Sequence, residues 1–177
     1  MKIKTLRIST NIIGLALNRL HHIGAFSEYS YGQCDVLSLN SKLFGFDYEI
    51  KINKYDLLNE IHAIQTALLN KPDTKTTYSK YNKHQKYLHF NTYSLYGWRP
   101  NYFYFAVPKE LIEIAKDGVK GTPYGVLQVD EHSHHHPIYI LKAKPIHKLS
   151  MPMEEAIKLL RKASFETYNA RRRLYLE

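Results

Sequence analysis

The sequence predicts a single α/β domain, in which a central mixed β-sheet is flanked by helices. Short runs rich in β-branched and aromatic residues have the length of strands, and longer segments with a helical repeat of apolar residues lie between them. The chain has 177 residues, which is enough for one hydrophobic core and too short for two. We assign the core to residues 10–145 and a C-terminal helix to residues 151–175.

The first predicted helix begins at Thr10, which can cap it, and ends at Gly24. Its broad apolar face is typical of a helix that packs on a sheet. His21 and His22 lie at its end, where cationic side chains would complement the helix dipole. A metal-binding histidine pair is the alternative interpretation.

Three strands are predicted next, over residues 25–31, 33–39 and 46–52. On the third strand Glu49 and Lys51 are two residues apart, so both side chains leave by the same face. If the second and third strands pair as a hairpin, Asp35 meets Glu49. Two carboxylates and one ammonium group at one end of a sheet could hold a divalent cation against a phosphate. Glu28 could reach the same edge, or it could be a solvated strand residue.

A second helix follows, opened by a capping pair of Asn53 and Asp56 and ending at residues 70–72. Its apolar stripe has helical spacing and consists of Leu57, Leu58, Ile61, Ile64 and Leu68. Asp56 is interpreted as part of the cap, although it lies close enough to Lys51 in sequence to touch a ligand there.

Residues 71–101 combine lysines with aromatic residues and contain Asp73 as their one acidic residue. Cations neutralise phosphates and aromatic faces stack on unpaired bases, so this stretch is the predicted nucleic-acid surface, with a helix over residues 80–88. The alternative is a tyrosine-rich flap over the core with its lysines in water. The residues assigned to nucleic-acid binding are Lys54, Lys80, Lys83, Lys86, Tyr87 and Arg99.

The remaining elements are a strand at 102–107, a short helix at 109–116, and strands at 124–129 and 138–143. Four histidines lie between the last two strands, at positions 132 and 134–136, and invite a metal interpretation. Their spacing is not that of a structural zinc site and no cysteine accompanies them, so a polar hairpin loop is the preferred interpretation. The final helix closes on residues 171–173, three arginines that could bind phosphate or merely suit a helix end.

The formal net charge of +9 predicts attraction to polyanions, nucleic acid first and anionic membrane second. Coding bias toward Lys, Asn, Ile and Tyr is the alternative explanation. No apolar run has the length of a membrane-spanning helix, and polar residues interrupt the first apolar segment, which argues against a cleavable signal. The one cysteine, Cys34, excludes an internal disulfide and fits a reducing cytoplasm.

Asp35, thirteen intervening residues and then Glu49-Ile50-Lys51 on a neighbouring strand resemble the active-site motif of the PD-(D/E)XK nuclease superfamily. The order of elements is similar to the restriction-endonuclease-like core of that superfamily. The segments at 34–37, 48–51, 83–87, 101–108 and 124–127 are similar to its MmcB-like DNA-repair branch. Cys34 stands where the name-giving proline would be, and Pro72-Asp73 lacks a following Glu-x-Lys.

This resemblance implies a DNA-cleaving enzyme that depends on Mg²⁺ or Mn²⁺ and serves repair, recombination or defence. Asp35, Glu49 and the Ile50 carbonyl would bind the metal, with Glu28 as a further candidate, and Lys51 would orient water or stabilise charge. A cytoplasmic location is expected and no membrane partner is. The oligomeric state stays open, with a homodimer as the form that many nucleases of this fold adopt. Whether the DNA is duplex, branched or single-stranded stays open.

Two other classes of function compete with the nuclease. One is a non-catalytic DNA- or RNA-binding module that uses residues 71–101, and the other is a metal-binding or sensing protein built on the histidine-rich loop.

Overall fold

The computed structural model describes residues 3–29, 34–69, 80–89, 98–130 and 137–174. They form a six-stranded mixed sheet flanked by helices, which confirms the predicted α/β class. The helices are α1 (Ile3–Gly14), α2 (Lys54–Leu69), α3 (Lys80–Leu88), α4 (Ile112–Gly118) and α5 (Met153–Leu174). The strands are β1 (Gly24–Tyr29), β2 (Cys34–Leu39), β3 (Gly45–Ile50), β4 (Tyr102–Val107), β5 (Gly125–Gln128) and β6 (Ile138–Leu141). A π-helical turn, Leu15–Arg19, continues α1, and a 3₁₀ turn, Lys109–Leu111, precedes α4.

The sheet has the strand order β1-β2-β3-β4-β5-β6. β1, β2 and β3 form an antiparallel meander, β3 pairs with β4 and β4 with β5 in parallel, and β6 is antiparallel to β5. The parallel pairs need crossover connections, and helices supply them. These crossover helices lie on one face of the sheet, and α1 covers the other.

Each face of the sheet carries its own apolar packing. On one face, α1 packs on alternate residues of the central strands, such as Tyr48 and Tyr104. On the opposite face, α2, α3 and α4 cover β4 and β5 through a cluster that includes Phe103 and Phe105. Further along that face, α5 covers β2 through a cluster that includes Leu37. The candidate site lies between these last two clusters.

A buried asparagine ties the start of β3 to the segment that leads into α5. The Asn101 side-chain oxygen accepts a hydrogen bond from the Gly45 N–H at 2.9 Å, and its amide nitrogen donates to the carbonyl of Leu149 at 2.9 Å. The Trp98 ring lies against Gly45 so closely that any Cβ there would collide with it. The entry of β3 into the sheet is therefore fixed from two sides.

Most predicted elements are confirmed, and the first helix is the exception. The predictions for β4 and α3 agree with the structure at both ends. The Asn53 side chain accepts a hydrogen bond from the Asp56 N–H at 2.9 Å, so the predicted cap of α2 is present. The start of the first helix was predicted wrongly, because α1 begins at Ile3. Thr10 lies inside it and donates its hydroxyl to the Leu6 carbonyl at 2.9 Å, as helical threonines often do.

The histidines after α1 differ from both interpretations offered for them. His21 has a φ of 52°, a left-handed conformation that helps to end the helical segment. His22 is buried against Phe46, and its Nδ1 lies 2.7 Å from the Ser38 hydroxyl. Burial lowers the pKa of His22 to about 4, so the ring is neutral and forms a core hydrogen bond.

No helix in the described part of the chain is both long enough and apolar enough to cross a bilayer.

Candidate active site

The third strand places three charged residues beneath α3. Asp47, Glu49 and Lys51 alternate along the chain, so they share a face of the sheet. Asp47 lies between Leu37 of β2 and Phe103 of β4, which belong to the two apolar clusters of that face. Asp47 is fully buried, and Glu49 and Lys51 are 8% and 7% exposed. These charges therefore need partners inside the protein.

Asp35 sits at the same end of the β2–β3 hairpin and is partly exposed. Its Oδ2 accepts a hydrogen bond of 2.7 Å from the Ile50 N–H. Burial and then the charge of Glu49 raise the pKa of Asp35 to about 6, although Lys51 and Lys83 act in the opposite direction. Asp35 therefore lies within electrostatic reach of both Glu49 and Lys51.

Two lysines hold the Glu49 carboxylate. Lys51 Nζ lies 2.5 Å from Oε1, and Lys83 Nζ, which comes from α3, lies 2.7 Å from Oε2. Burial alone raises the pKa of Glu49, but the charges of Lys83 and Lys51 outweigh it and lower the pKa below its usual range. Glu49 is therefore ionised at neutral pH.

Asp47 forms a second ion pair with Lys83, at 3.0 Å between Oδ2 and Nζ. The Tyr87 hydroxyl, one helical turn further along α3, donates to the same oxygen at 2.8 Å. The other oxygen, Oδ1, makes no hydrogen bond to any residue that the structure describes. Burial raises the pKa of Asp47, and the charge of Lys83 opposes that rise. The thiol of buried Cys34 is neutral because burial and the charge of Asp47 both raise its pKa.

A glutamate from α2 continues the chain of contacts. Lys51 Nζ lies 3.2 Å from Oε2 of Glu60, which is 1% exposed. Its other oxygen lies 2.8 Å from Nε2 of His84, whose Nδ1 lies 3.2 Å from the Tyr124 hydroxyl. Burial lowers the pKa of His84, so the ring is neutral. Only one tautomer then satisfies both neighbours: Nε2–H donates to Glu60, and Tyr124 donates to Nδ1.

The result is a buried alternation of acid and base along Asp47, Lys83, Glu49, Lys51, Glu60 and His84. Together with Asp35, the described part of this network has four carboxylates and two ammonium groups. The carboxylates therefore exceed the ammonium groups by two negative charges when all four carboxylates are ionised. Burial alone lowers the pKa of Lys51, but Glu49 and Glu60 outweigh it and raise that pKa above its usual range. Lys51 is therefore a cation, and cannot serve as a base at neutral pH.

The network suits a hard divalent cation in its donor chemistry. Carboxylate oxygens, which Asp35 and Glu49 supply, are the ligands that Mg²⁺ prefers. The Ile50 carbonyl is not brought to this pair by a contact in the described residues, where Ile50 bonds Asp35 through its N–H. No group of three or more His, Cys, Asp or Glu side chains within the described ranges is arranged to hold a metal. A cation would therefore depend on two carboxylates, one of which is held by lysines.

The predicted nucleic-acid residues divide by exposure. Lys83 and Tyr87 are 8% and 1% exposed, so their assignment to a binding surface is wrong. Both side chains are buried because they bind the carboxylate of Asp47 on β3. Lys86 and Arg99 are partly exposed, and Lys54 is exposed. Burial, followed by the charge of the nearby Arg99, lowers the pKa of Lys86. These two cations therefore lie close enough to interact.

Several predicted site features lie outside the described residues. They are most of the stretch at 71–101, the histidines at 132 and 134–136, and the side chains of Glu28, Lys80 and residues 171–173.

Sequence reasoning missed four members of the network, and three of them had a visible signal. Asp47 continues the two-residue alternation of Glu49 and Lys51. Glu60 occupies a position within the apolar stripe of α2, between Leu57 and Ile61. Lys83 lies four residues before Tyr87, on the same face of α3. For His84, the sequence carried no comparable signal.

Fold and site together define an α/β protein with a carboxylate–lysine cluster buried between its sheet and two helices. No protein-family model and no curated protein matches the chain. Among solved structures, SPO1766, a protein of unknown function from Silicibacter pomeroyi, is similar with a TM-score of 0.50 and 15% identity over 94% of this chain and 86% of that one. At this identity the likeness shows a shared fold and nothing about activity.

Proposed function

We propose that the protein is a Mg²⁺-dependent nuclease that hydrolyses phosphodiester bonds in DNA. The observation that supports this is the meeting of Asp35, Glu49 and Lys51 at one end of the β2–β3 hairpin. The order of the sheet is compatible with a restriction-endonuclease-like core. The raised pKa of Asp35 supports it further, because an acid held near a second acid is stabilised when a cation arrives.

Each residue has a role in this proposal that follows from its surroundings. Asp35 and Glu49 would hold the metal, which when bound neutralises charge on the phosphate and acidifies a water molecule. Lys51 carries a fixed positive charge because two carboxylates hold its proton, so it stabilises negative charge on the phosphate. The Ile50 N–H keeps the Asp35 carboxylate turned toward the end of the hairpin.

DNA is the proposed substrate because the chain is strongly basic, with a formal charge of +9. Lys54, Lys86 and Arg99 are the described candidates for phosphate contacts, since all three are at least partly exposed. Cys34 is a free buried thiol, which fits the reducing cytoplasm that we propose as the location. Cutting both strands of a duplex would require two copies of the chain.

A plasmid-nicking assay tests the proposal. Supercoiled and single-stranded DNA are incubated with the protein and Mg²⁺, Mn²⁺ or EDTA, and Asp35→Asn is compared with wild type. Asp35 is the better target because it is partly exposed, whereas truncating Glu49 would remove a buried acid that pairs with two buried lysines. We expect metal-dependent cleavage to fall by about 100-fold or more, with DNA binding retained.

The matched control is Asp117→Asn, the same substitution in an exposed pair with Lys120. It should cleave at the wild-type rate. Cleavage that persists in EDTA, or that is equal in wild type and Asp35→Asn, contradicts the proposal.

The second candidate is a non-catalytic DNA- or RNA-binding module. It is favoured by the closure of Glu49 between Lys51 and Lys83, which leaves this acid 8% exposed. Salt-sensitive binding to DNA without cleavage under any metal would support it.

A further inference from the structure

Glu49 is held at both of its oxygens, so a cation that binds it must compete with a lysine. Lys51 Nζ lies 2.5 Å from Oε1 and Lys83 Nζ lies 2.7 Å from Oε2. All three groups are buried, and an ammonium group that lost its partner there would be strongly disfavoured. A binding-competent site therefore needs a second acid to receive the displaced lysine.

Lys83 has such an acid beside it. Its Nζ is shared almost evenly, at 2.7 Å from Glu49 and 3.0 Å from Asp47. Asp47 has an oxygen, Oδ1, without a nitrogen or oxygen donor among the described residues, and the Cys34 thiol that also interacts with this carboxylate is a weak donor, so the carboxylate has capacity for a closer contact. The Tyr87 hydroxyl donates to Oδ2 and keeps the group oriented.

Lys51 is the less suitable lysine to leave. It lies closer to Glu49, at 2.5 Å, than to Glu60, at 3.2 Å. Glu60 is held on its other oxygen by His84, just as Asp47 is held by Tyr87, so the unequal distances distinguish the two lysines. Lys51 therefore keeps its place beside Glu49 while Lys83 can move.

We propose that Asp47 is a positioning residue that takes Lys83 from Glu49 when a divalent cation binds between Asp35 and Glu49. This inference rests on the proposed function, since it needs a cation at those two acids. The exchange keeps every buried charge paired: the cation replaces Lys83 at Glu49, and Lys83 keeps Asp47 as its counter-ion. In the absence of the cation, Lys83 closes the site.

Metal affinity in the absence of DNA tests the exchange. Binding of Mn²⁺ and Mg²⁺ to the full chain is measured by calorimetry for wild type, Asp47→Asn and the double variant Asp47→Asn with Lys83→Met. Asp47→Asn removes the receiving acid and confines Lys83 to Glu49, so affinity should fall by about tenfold. The double variant also removes the competing lysine, so affinity should exceed that of the wild type.

The controls are the same two substitutions in the exposed pair of Asp117 and Lys120, and these should leave affinity unchanged. Wild-type affinity in Asp47→Asn would overturn the exchange, as would a double variant that binds as weakly as the single one. If Asp47→Asn does not fold, the double variant decides alone, because tighter binding than wild type supports the exchange and equal or weaker binding overturns it.

One further outcome separates this inference from the proposed function. If wild type shows no Mn²⁺ binding that Asp35→Asn abolishes, the nuclease proposal fails, and the exchange fails with it. If that binding is present but the Asp47 and Lys83 variants do not change it, the exchange alone is refuted.

Discussion

Replacing Asp35 with asparagine should make the protein more stable at neutral pH while it abolishes the proposed activity. Folding raises the pKa of Asp35 from 3.8 to about 6, through burial and the charge of Glu49. The unfolded chain therefore releases this proton first as pH rises, and the folded state loses stability between about pH 4 and 6. A difference of about 2 pH units corresponds to roughly 3 kcal/mol at pH 7.

The measured gain should be smaller than this, about 1–2 kcal/mol, because Asp35 is partly exposed and solvent screens its charge. Asparagine retains an oxygen that can accept the Ile50 N–H, so no buried donor is stranded. Below about pH 4 the aspartate is protonated in both states, and the advantage of the variant should disappear.

Urea unfolding followed by circular dichroism, at several values between pH 4 and 7, measures this difference. EDTA is present so that a bound cation cannot stabilise the wild-type carboxylate. The control is Asp117→Asn, where Lys120 lowers the pKa of an exposed aspartate, so this variant should gain no stability at pH 7. An Asp35→Asn variant that is less stable than wild type at pH 7, by an amount independent of pH, would refute the reasoning.

Two further substitutions probe contacts that position the site. Asn101→Ala should lower the free energy of unfolding by about 2–4 kcal/mol, because the Gly45 N–H and the Leu149 carbonyl lose a buried partner. Asn53→Ala, which removes an exposed helix cap, should lower it by only about 1 kcal/mol. Equal losses in the two variants by urea unfolding would contradict this. Tyr124→Phe should remove the hydrogen bond to Nδ1 of His84 and lower the free energy of unfolding by about 1 kcal/mol. It should also change the ¹⁵N chemical shift of that nitrogen, and an unchanged shift would show that the assigned tautomer is wrong.

The sequence was sufficient to predict features that depend on neighbouring residues. The continuous apolar run of β4 and the Asn53 cap follow from local pattern, and the structure agrees with both. The helix over residues 80–88 was predicted because a structureless loop of that length is unusual in a compact domain, and α3 has those bounds. The first helix was misplaced because Thr10 satisfies the rule for a cap and also the rule for a helical threonine bonded to the preceding turn. Local sequence does not distinguish these two uses.

The site was predicted only in part, because its charges are paired by tertiary contacts. The spacing of Asp35, Glu49 and Lys51 indicated a common end of a hairpin, and the structure brings these three near one another. Lys83 was assigned to a solvent-facing surface because the residues around it are basic and aromatic. Its burial depends on Asp47 and Glu49, which lie more than thirty residues earlier and meet it only when α3 packs on the sheet.

The parallel contact between β3 and β4 determines the order in which this site can be assembled. Asp47 of β3 is aligned with Phe103 of β4, and α2 and α3 lie between these two strands in the sequence. Both helices must therefore be synthesised before β3 and β4 can pair. The β1–β3 meander joins strands that are adjacent in sequence, and it can form much earlier during synthesis. Until α3 docks on the sheet, burial of the unpaired Asp47 carboxylate is unfavourable, so we expect it to stay hydrated. We therefore expect water to leave Asp47 and Glu49 only when α3 docks and brings Lys83 to them.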